Sequence, residues 1–177
     1  MTAPGRELPV LLSADEVQER VEALAGRLAL ELSPNTIAVV LLLGGLWFAA
    51  DLTRALARRG LVLDVDALWL ASYGHARTSS GRCETRVGLQ RPVAGRPVLL
   101  IDDVADSGAT QAEAGRILRQ AAAVSVTTAV FARKPWARAR AAEPDHIAWE
   151  APGRFLVGYG MDLAAGARTL PHIAAAD

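Results

Sequence analysis

Twice in this chain a strand-sized apolar run turns through a few small residues straight into a helical pattern. Ile37 to Leu43 leads into Gly44-Gly45 and a helix from Trp47 to Arg58, and Val98 to Ile101 leads into an acid-rich turn and a helix from about Thr110 to Ala122. Runs this short and this apolar read as strands buried on both faces, and their alternation with helices is the spacing of βαβ units. Further strands from Val62 to Ala71 and Val124 to Phe131 continue the series. The pattern predicts an α/β fold: a single domain with a mainly parallel twisted sheet flanked by helices. Its ligands would sit outside the carboxyl ends of the strands.

The remaining punctuation agrees. Ser13 to Glu16 is a capping box, and Val17, Val21, Leu24 and Leu28 recur at helical spacing to about Leu32. Ser33-Pro34-Asn35 breaks that helix. Residues 1 to about 10 read as flexible, and residues 72 to 91, rich in Ser, Thr, Gly and Arg, as a loop of weak order. The 177 residues fit one domain with a sizeable core. Nineteen basic and nineteen acidic side chains cancel, which argues against a nucleic-acid footprint and against an anionic membrane surface. Cys83 is the single cysteine, so an internal disulfide is excluded and a reducing cytoplasm is the expected setting. The first residues lack the build of a secretory signal, and no apolar run is long enough to span a bilayer.

The acid-rich turn carries the chemistry. Asp102, Asp103 and Asp106 place three carboxylates in five positions, and Ser107, Gly108, Ala109 and Thr110 lead into the helix. The first N–H groups of a helix lack intrahelical partners, so a small-residue loop at a helix start cradles phosphate. Carboxylates beside it would repel a bare phosphate; they suit a phosphorylated sugar with free hydroxyls, or a ligand carrying a divalent cation. A plain capped turn is the competing reading, although a cap needs one carboxylate and not three. Gly44-Gly45 offers a second strand-to-helix cradle, or a simple tight turn.

The stretch from Val98 to Thr110 closely resembles the phosphoribosyl-pyrophosphate signature of the type I phosphoribosyltransferases. That resemblance implies that Asp102 and Asp103 hold the ribose hydroxyls, directly or through Mg2+, and that Ser107, Gly108, Ala109 and Thr110 wrap the 5-phosphate. It also implies a small hood built from the chain ends. Leu43 and Gly44 fall in what resembles the pyrophosphate loop, where the family usually carries Lys and this chain has Leu43. Ser72 and Tyr73 resemble the Ser-Tyr pair of a mobile loop that closes over the reaction and excludes water. The family's purine-salvage members usually begin the acid pair with Glu; Asp102 is one methylene shorter.

The C-terminal third resembles the hypoxanthine branch in order and spacing: Lys134-Pro135, Pro144 to Glu150, Phe155 to Asp162, and Arg168 to Ile173. Carried over, Lys134 donates to the purine 6-oxo group, with Arg133 as the alternative. Phe155 stacks on the base, Leu156 and Asp162 offer backbone groups to the ring, Asp162 lies near Mg2+, and Arg168 contacts pyrophosphate. Asp106 would take or share the N7 proton as N9 attacks the anomeric carbon. Without the family, Phe155, Val157 and Tyr159 read simply as an alternating strand. The implied reaction joins phosphoribosyl pyrophosphate and a 6-oxopurine base, hypoxanthine or guanine, into a nucleotide, in a homodimer or homotetramer. A regulator that senses the sugar pyrophosphate on the same fold is the rival, as is transfer to xanthine or a pyrimidine.

Overall fold

The computed structural model describes residues 8–72, 83–135, 139–162 and 166–176. Its main sheet has six strands in the order β4-β3-β2-β5-β6-β7: Cys83–Val87, Asp64–Ser72, Ile37–Leu42, Pro97–Ala105, Ser125–Arg133 and His146–Glu150. Every neighbouring pair is parallel except β3 with β4. The continuous apolar runs are sorted by the pleat. Ala38 and Val40 of β2, with Leu99 and Ile101 of β5, face helices α1 (Ala14–Glu31) and α2 (Leu46–Arg58). Ile37, Val39 and Leu41, with Val98 and Leu100, face α3 (Ala109–Gln120). Both faces are therefore buried, as the runs implied. Phe48, Phe131 and Tyr159 meet edge to face at the centre of the first core, with ring centroids 5.6 and 5.0 Å apart.

Strand order reverses at β2 and β5: the chain leaves β2 towards β3 on one side and leaves β5 towards β6 on the other. That switch point opens a crevice at the strands' carboxyl ends. A three-stranded antiparallel hood covers it, in the order β1 (Val10–Leu12), β9 (Ile173–Ala175), β8 (Leu156–Val157). No helix among the described residues is long and apolar enough to cross a membrane.

Several expectations are corrected. The signature strand does not end at Ile101. Its ladder with β2 stops there, but its ladder with β6 continues through Asp102 and Val104 to Ala105, so both leading acids lie within β5. The polar segment 72–91 contains β4, templated by the edge of β3 and anchored by Asp66, whose carboxylate accepts from Gln90 N and Arg91 N at 2.8 Å each. The N-terminus is paired from Val10 onward. The alternation at Phe155, Val157 and Tyr159 is not one strand: only Leu156–Val157 is extended, and Gly158, Tyr159 and Gly160 all take positive φ.

Candidate active site

Two helices start at the crevice, and both start differently from α1. Ser13 and Glu16 close α1 with a capping box, whereas α2 and α3 begin at Gly45 and Gly108 with no side-chain cap. In α3 Ala109 N makes only a long 3.4 Å approach to Ser107 Oγ, and in α2 Leu46 N donates to Leu43 O at 3.2 Å; the next amides of each first turn are available to an anion. Gly108 sits at φ 76°, and an added Cβ there would come within 2.4 Å of Ala142 O. Gly44 is tighter still, because an added Cβ would lie 2.0 Å from Asp103 Oδ2.

The crevice holds two adjoining hollows. The first, about 320 Å³, is lined by Leu41 to Gly44, Leu70, the acids Asp102, Asp103 and Asp106 with Val104, Ser107 to Gln111, and Arg168. The second, about 230 Å³, is lined by Asp103, Val104, Lys134, Phe155, Leu156, Met161, Asp162 and Arg168. They share Asp103, Val104 and Arg168. Ser72 ends β3, but its side chain and all of Tyr73 lie outside the described residues.

The three acids of the turn differ in surroundings. Asp102 is buried, and its two oxygens accept from Gln111 Nε2 at 2.6 Å and from Asp103 N at 3.0 Å. Burial pushes its carboxyl well above the ordinary carboxylate range, and the negative charge of Asp103 adds to the rise. Burial also raises Asp103, against hydrogen bonds and the charge of Arg168 that lower it. Asp103 faces both hollows, with Oδ1 accepting from Val104 N at 2.9 Å. The side chain of Asp106 is about half exposed (49%), and its Oδ2 lies 3.6 Å from Lys134 Nζ. That ammonium stands 5.5 Å from the ring centre of Phe155, which is 44% exposed. Arg133, the alternative to Lys134, turns instead to Glu150 and Glu143.

Across the crevice, Arg168 donates to Gly160 O at 2.6 Å and pairs with Asp162 Oδ2 at 3.1 Å. The acids expected around a metal, Asp102, Asp103 and Asp162, do not gather into a three-carboxylate cluster; among the described residues no group of three such ligands does. Asp102 is engaged in the interior, which leaves Asp103 and Asp162 on the open side. One or two carboxylates presented to an open hollow, with a buried acid behind them, fit a hard cation completed by ligand oxygens and water.

Two residues near this chemistry escaped the sequence reading. Gln111 is buried on the stripe of α3 that continues through Ala114 and Leu118, and it donates to both Asp102 and Val104 O (3.1 Å). A polar amide on a core-facing stripe needs a partner, and that was its signal. Tyr159 donates to Asp51 Oδ2 at 2.8 Å, tying the hood's turn to α2, and burial raises its phenol.

A parallel sheet with an acid-bearing strand at its switch point, two bare glycine-capped helix starts and an antiparallel hood defines a class of α/β proteins built to hold phosphorylated sugars. Known proteins agree. The phosphoribosyl transferase domain family matches residues 13–162. The hypoxanthine-guanine phosphoribosyltransferase of Bacillus subtilis is 34% identical over 165 residues, which is 93% of this chain and 90% of that protein. The bifunctional protein TilS/HprT of Listeria innocua is 36% identical over 165 residues, and there the chain spans only about a quarter of its relative's length. Among solved structures, a hypoxanthine phosphoribosyltransferase from Staphylococcus aureus superposes with a TM-score of 0.86 at 25% identity, over 95% of this chain and 90% of that one. This chain belongs to the phosphoribosyl transferase domain family, on its hypoxanthine–guanine branch.

Proposed function

We propose that this chain transfers the 5-phosphoribosyl group from phosphoribosyl pyrophosphate to N9 of a 6-oxopurine, hypoxanthine or guanine. The products are the purine 5'-nucleotide (IMP or GMP) and pyrophosphate, in purine salvage. One observation carries the reading. Two hollows of different chemistry meet at Asp103, Val104 and Arg168, and Asp106 of the first lies 3.6 Å from Lys134 of the second. The first has the bare helix starts and the acids that suit a sugar phosphate; the second has an aromatic face and a cation that suit a flat oxo-heterocycle.

In this mechanism Ser107 to Thr110 cradle the 5-phosphate and Gly44 admits the pyrophosphate close to the backbone. Phe155 stacks on the purine while Lys134 donates to its 6-oxo oxygen. Leu156 and Asp162 lend backbone groups to the ring. Asp106 accepts the N7 proton as N9 attacks, and its charge also favours the positive character that builds on the ribose. Arg168 meets the departing pyrophosphate. Ser72 and Tyr73 would close over the site. A divalent cation, which we take to be Mg2+, would be held by Asp103, Asp162 and ligand oxygens with Asp102 behind them, and would supply charge neutralisation to the pyrophosphate. We place the reaction in the cytoplasm, in a homodimer or homotetramer.

Purified protein supplied with Mg2+, phosphoribosyl pyrophosphate and each base in turn tests the reading. Turnover with hypoxanthine or guanine is the expected result, and silence on every 6-oxopurine overturns it. Binding of the sugar pyrophosphate without turnover on any base would point to the sensor, for which Leu43 in place of a lysine leaves room. Asp106→Asn should lower kcat by about two orders of magnitude or more while the sugar pyrophosphate still binds. Wild-type kcat in that variant would remove Asp106 as the proton acceptor.

A further inference from the structure

We propose that Arg140 is a positioning residue for the transfer, holding the backbone of Asp106 at a fixed separation from that of Lys134; this rests on the roles just given to those two residues. The β5–β6 ladder runs to Ala105↔Arg133, and Lys134 N donates to Ala105 O at 3.1 Å beyond it. Past that bond the two backbones go separate ways: β5 into the phosphate loop, β6 into the purine side. Arg140 spans the gap. Its Nε donates to Asp106 O at 2.9 Å, and its second guanidinium nitrogen donates to Lys134 O. The third nitrogen is held by Glu143, at 2.9 and 3.2 Å to the two carboxylate oxygens.

The side chain of Arg140 is 8% exposed, so its charge is nearly withdrawn from water and stays there because every nitrogen has an acceptor. A planar five-donor fork can serve three acceptors in fixed directions; a lysine ammonium at the end of a flexible stem cannot hold that plane. The neighbouring backbone repeats the attachment. Ala141 N donates to Ser107 O at 2.9 Å, and Gly108 lies so close to Ala142 that a Cβ would not fit. Arg140 touches none of the reacting atoms in this reading. It acts on the 3.6 Å spacing of Lys134 Nζ and Asp106 Oδ2, and displacements of about 1 Å at reacting groups can cost about a hundredfold in rate.

The test is steady-state kinetics on the full chain with Mg2+, phosphoribosyl pyrophosphate and hypoxanthine, comparing wild type, Arg140→Lys, Asp106→Asn and the double variant, with thermal midpoints alongside. Arg140→Lys should lower kcat/KM for the purine about tenfold. In the Asp106→Asn background the same change should cost about threefold or less, because one of the two groups being positioned, the Asp106 carboxylate, is already gone. Equal losses in both backgrounds, or a lowered midpoint with unchanged kinetics, overturn the proposal. Should Arg140→Lys not fold, Arg140→Gln takes its place; if neither folds, Arg140 serves stability and the positioning role falls. A wild-type protein inactive on 6-oxopurines overturns the underlying reading, whereas an active one with additive losses overturns this inference alone.

Discussion

Gly44 has no room for a side chain. Its backbone is packed against the Asp103 carboxylate, and a β-carbon would stand 2.0 Å from Oδ2 and 2.5 Å from Cγ. The far end of an aspartate can swing, but swinging it removes the one acid that faces both hollows. Gly44→Ala should therefore raise the KM for phosphoribosyl pyrophosphate about tenfold or more, with little change in thermal midpoint, since the loop lies at the surface of the crevice. Kinetic titration of that substrate decides it; a KM within twofold of wild type would mean that Asp103 relocates without loss. The neighbouring Leu43, 42% exposed where the family's lysine would stand, makes the backbone of this loop more important and not less.

At the scale of elements, α1 and α2 are joined by charge as well as by their shared core. Glu22 accepts from Arg58 and from Arg59 Nη1 at 2.6 Å, and its backbone carbonyl accepts from Arg59 Nη2 at 3.1 Å. The hydrogen bond from Arg58 leads the causes that lower the Glu22 carboxyl below its ordinary 4.5. A carboxylate whose folded pKa lies below its unfolded value adds stability above that unfolded value, and loses it as pH falls through the folded one. Glu22→Gln should thus lower Tm by about 2 °C at pH 7, the reach of an exposed ion pair. The difference from wild type should shrink as pH falls below about 4.5. Thermal scans across that range check it, and a gap that is independent of pH would assign the effect to packing.

The same scale shows what the sequence could disclose. α1 was legible because Ser13, Glu16 and the Val17–Leu28 stripe are local signals, and β2 and β5 because burial on both faces demands a continuous apolar run. β1, β8 and β9 have two or three residues each, too few for a period, and exist only through one another. The end of β5 is not legible in the sequence, because hydropathy changes at Ile101 while the pairing with β6 continues to Ala105. In the site, the acid-rich turn stands out as chemistry in the sequence, whereas Lys134, Phe155 and Asp162 are reached only through the family resemblance. Gln111 and Arg140 do not stand out, since their meaning depends on acceptors 9 and 34 residues away.

The whole molecule is a sheet and a hood that meet across a site whose lining comes from both. Asp102 to Thr110 and Lys134 come from the sheet side, whereas Leu156, Asp162 and Arg168 come from the hood side. Direct ties between the two include Tyr159 to Asp51 and the close approach of Gly160 to Gly44 O. A ligand held by both sides adds a further tie that the unfolded chain lacks, and stabilises the fold by mass action. The carboxylates on the two sides, Asp103 and Asp162, would repel a pyrophosphate without a cation between them. Phosphoribosyl pyrophosphate at about one hundred times its Kd, with Mg2+, should therefore raise Tm by about 5–10 °C, from about 2.7 kcal/mol of linkage. Chelation of the metal should abolish turnover and most of that increment, and excess Mg2+ should restore both. An undiminished increment in chelator would show that the backbone cradles and Arg168 hold the sugar pyrophosphate unaided, and that the acids of β5 serve the ribose hydroxyls directly.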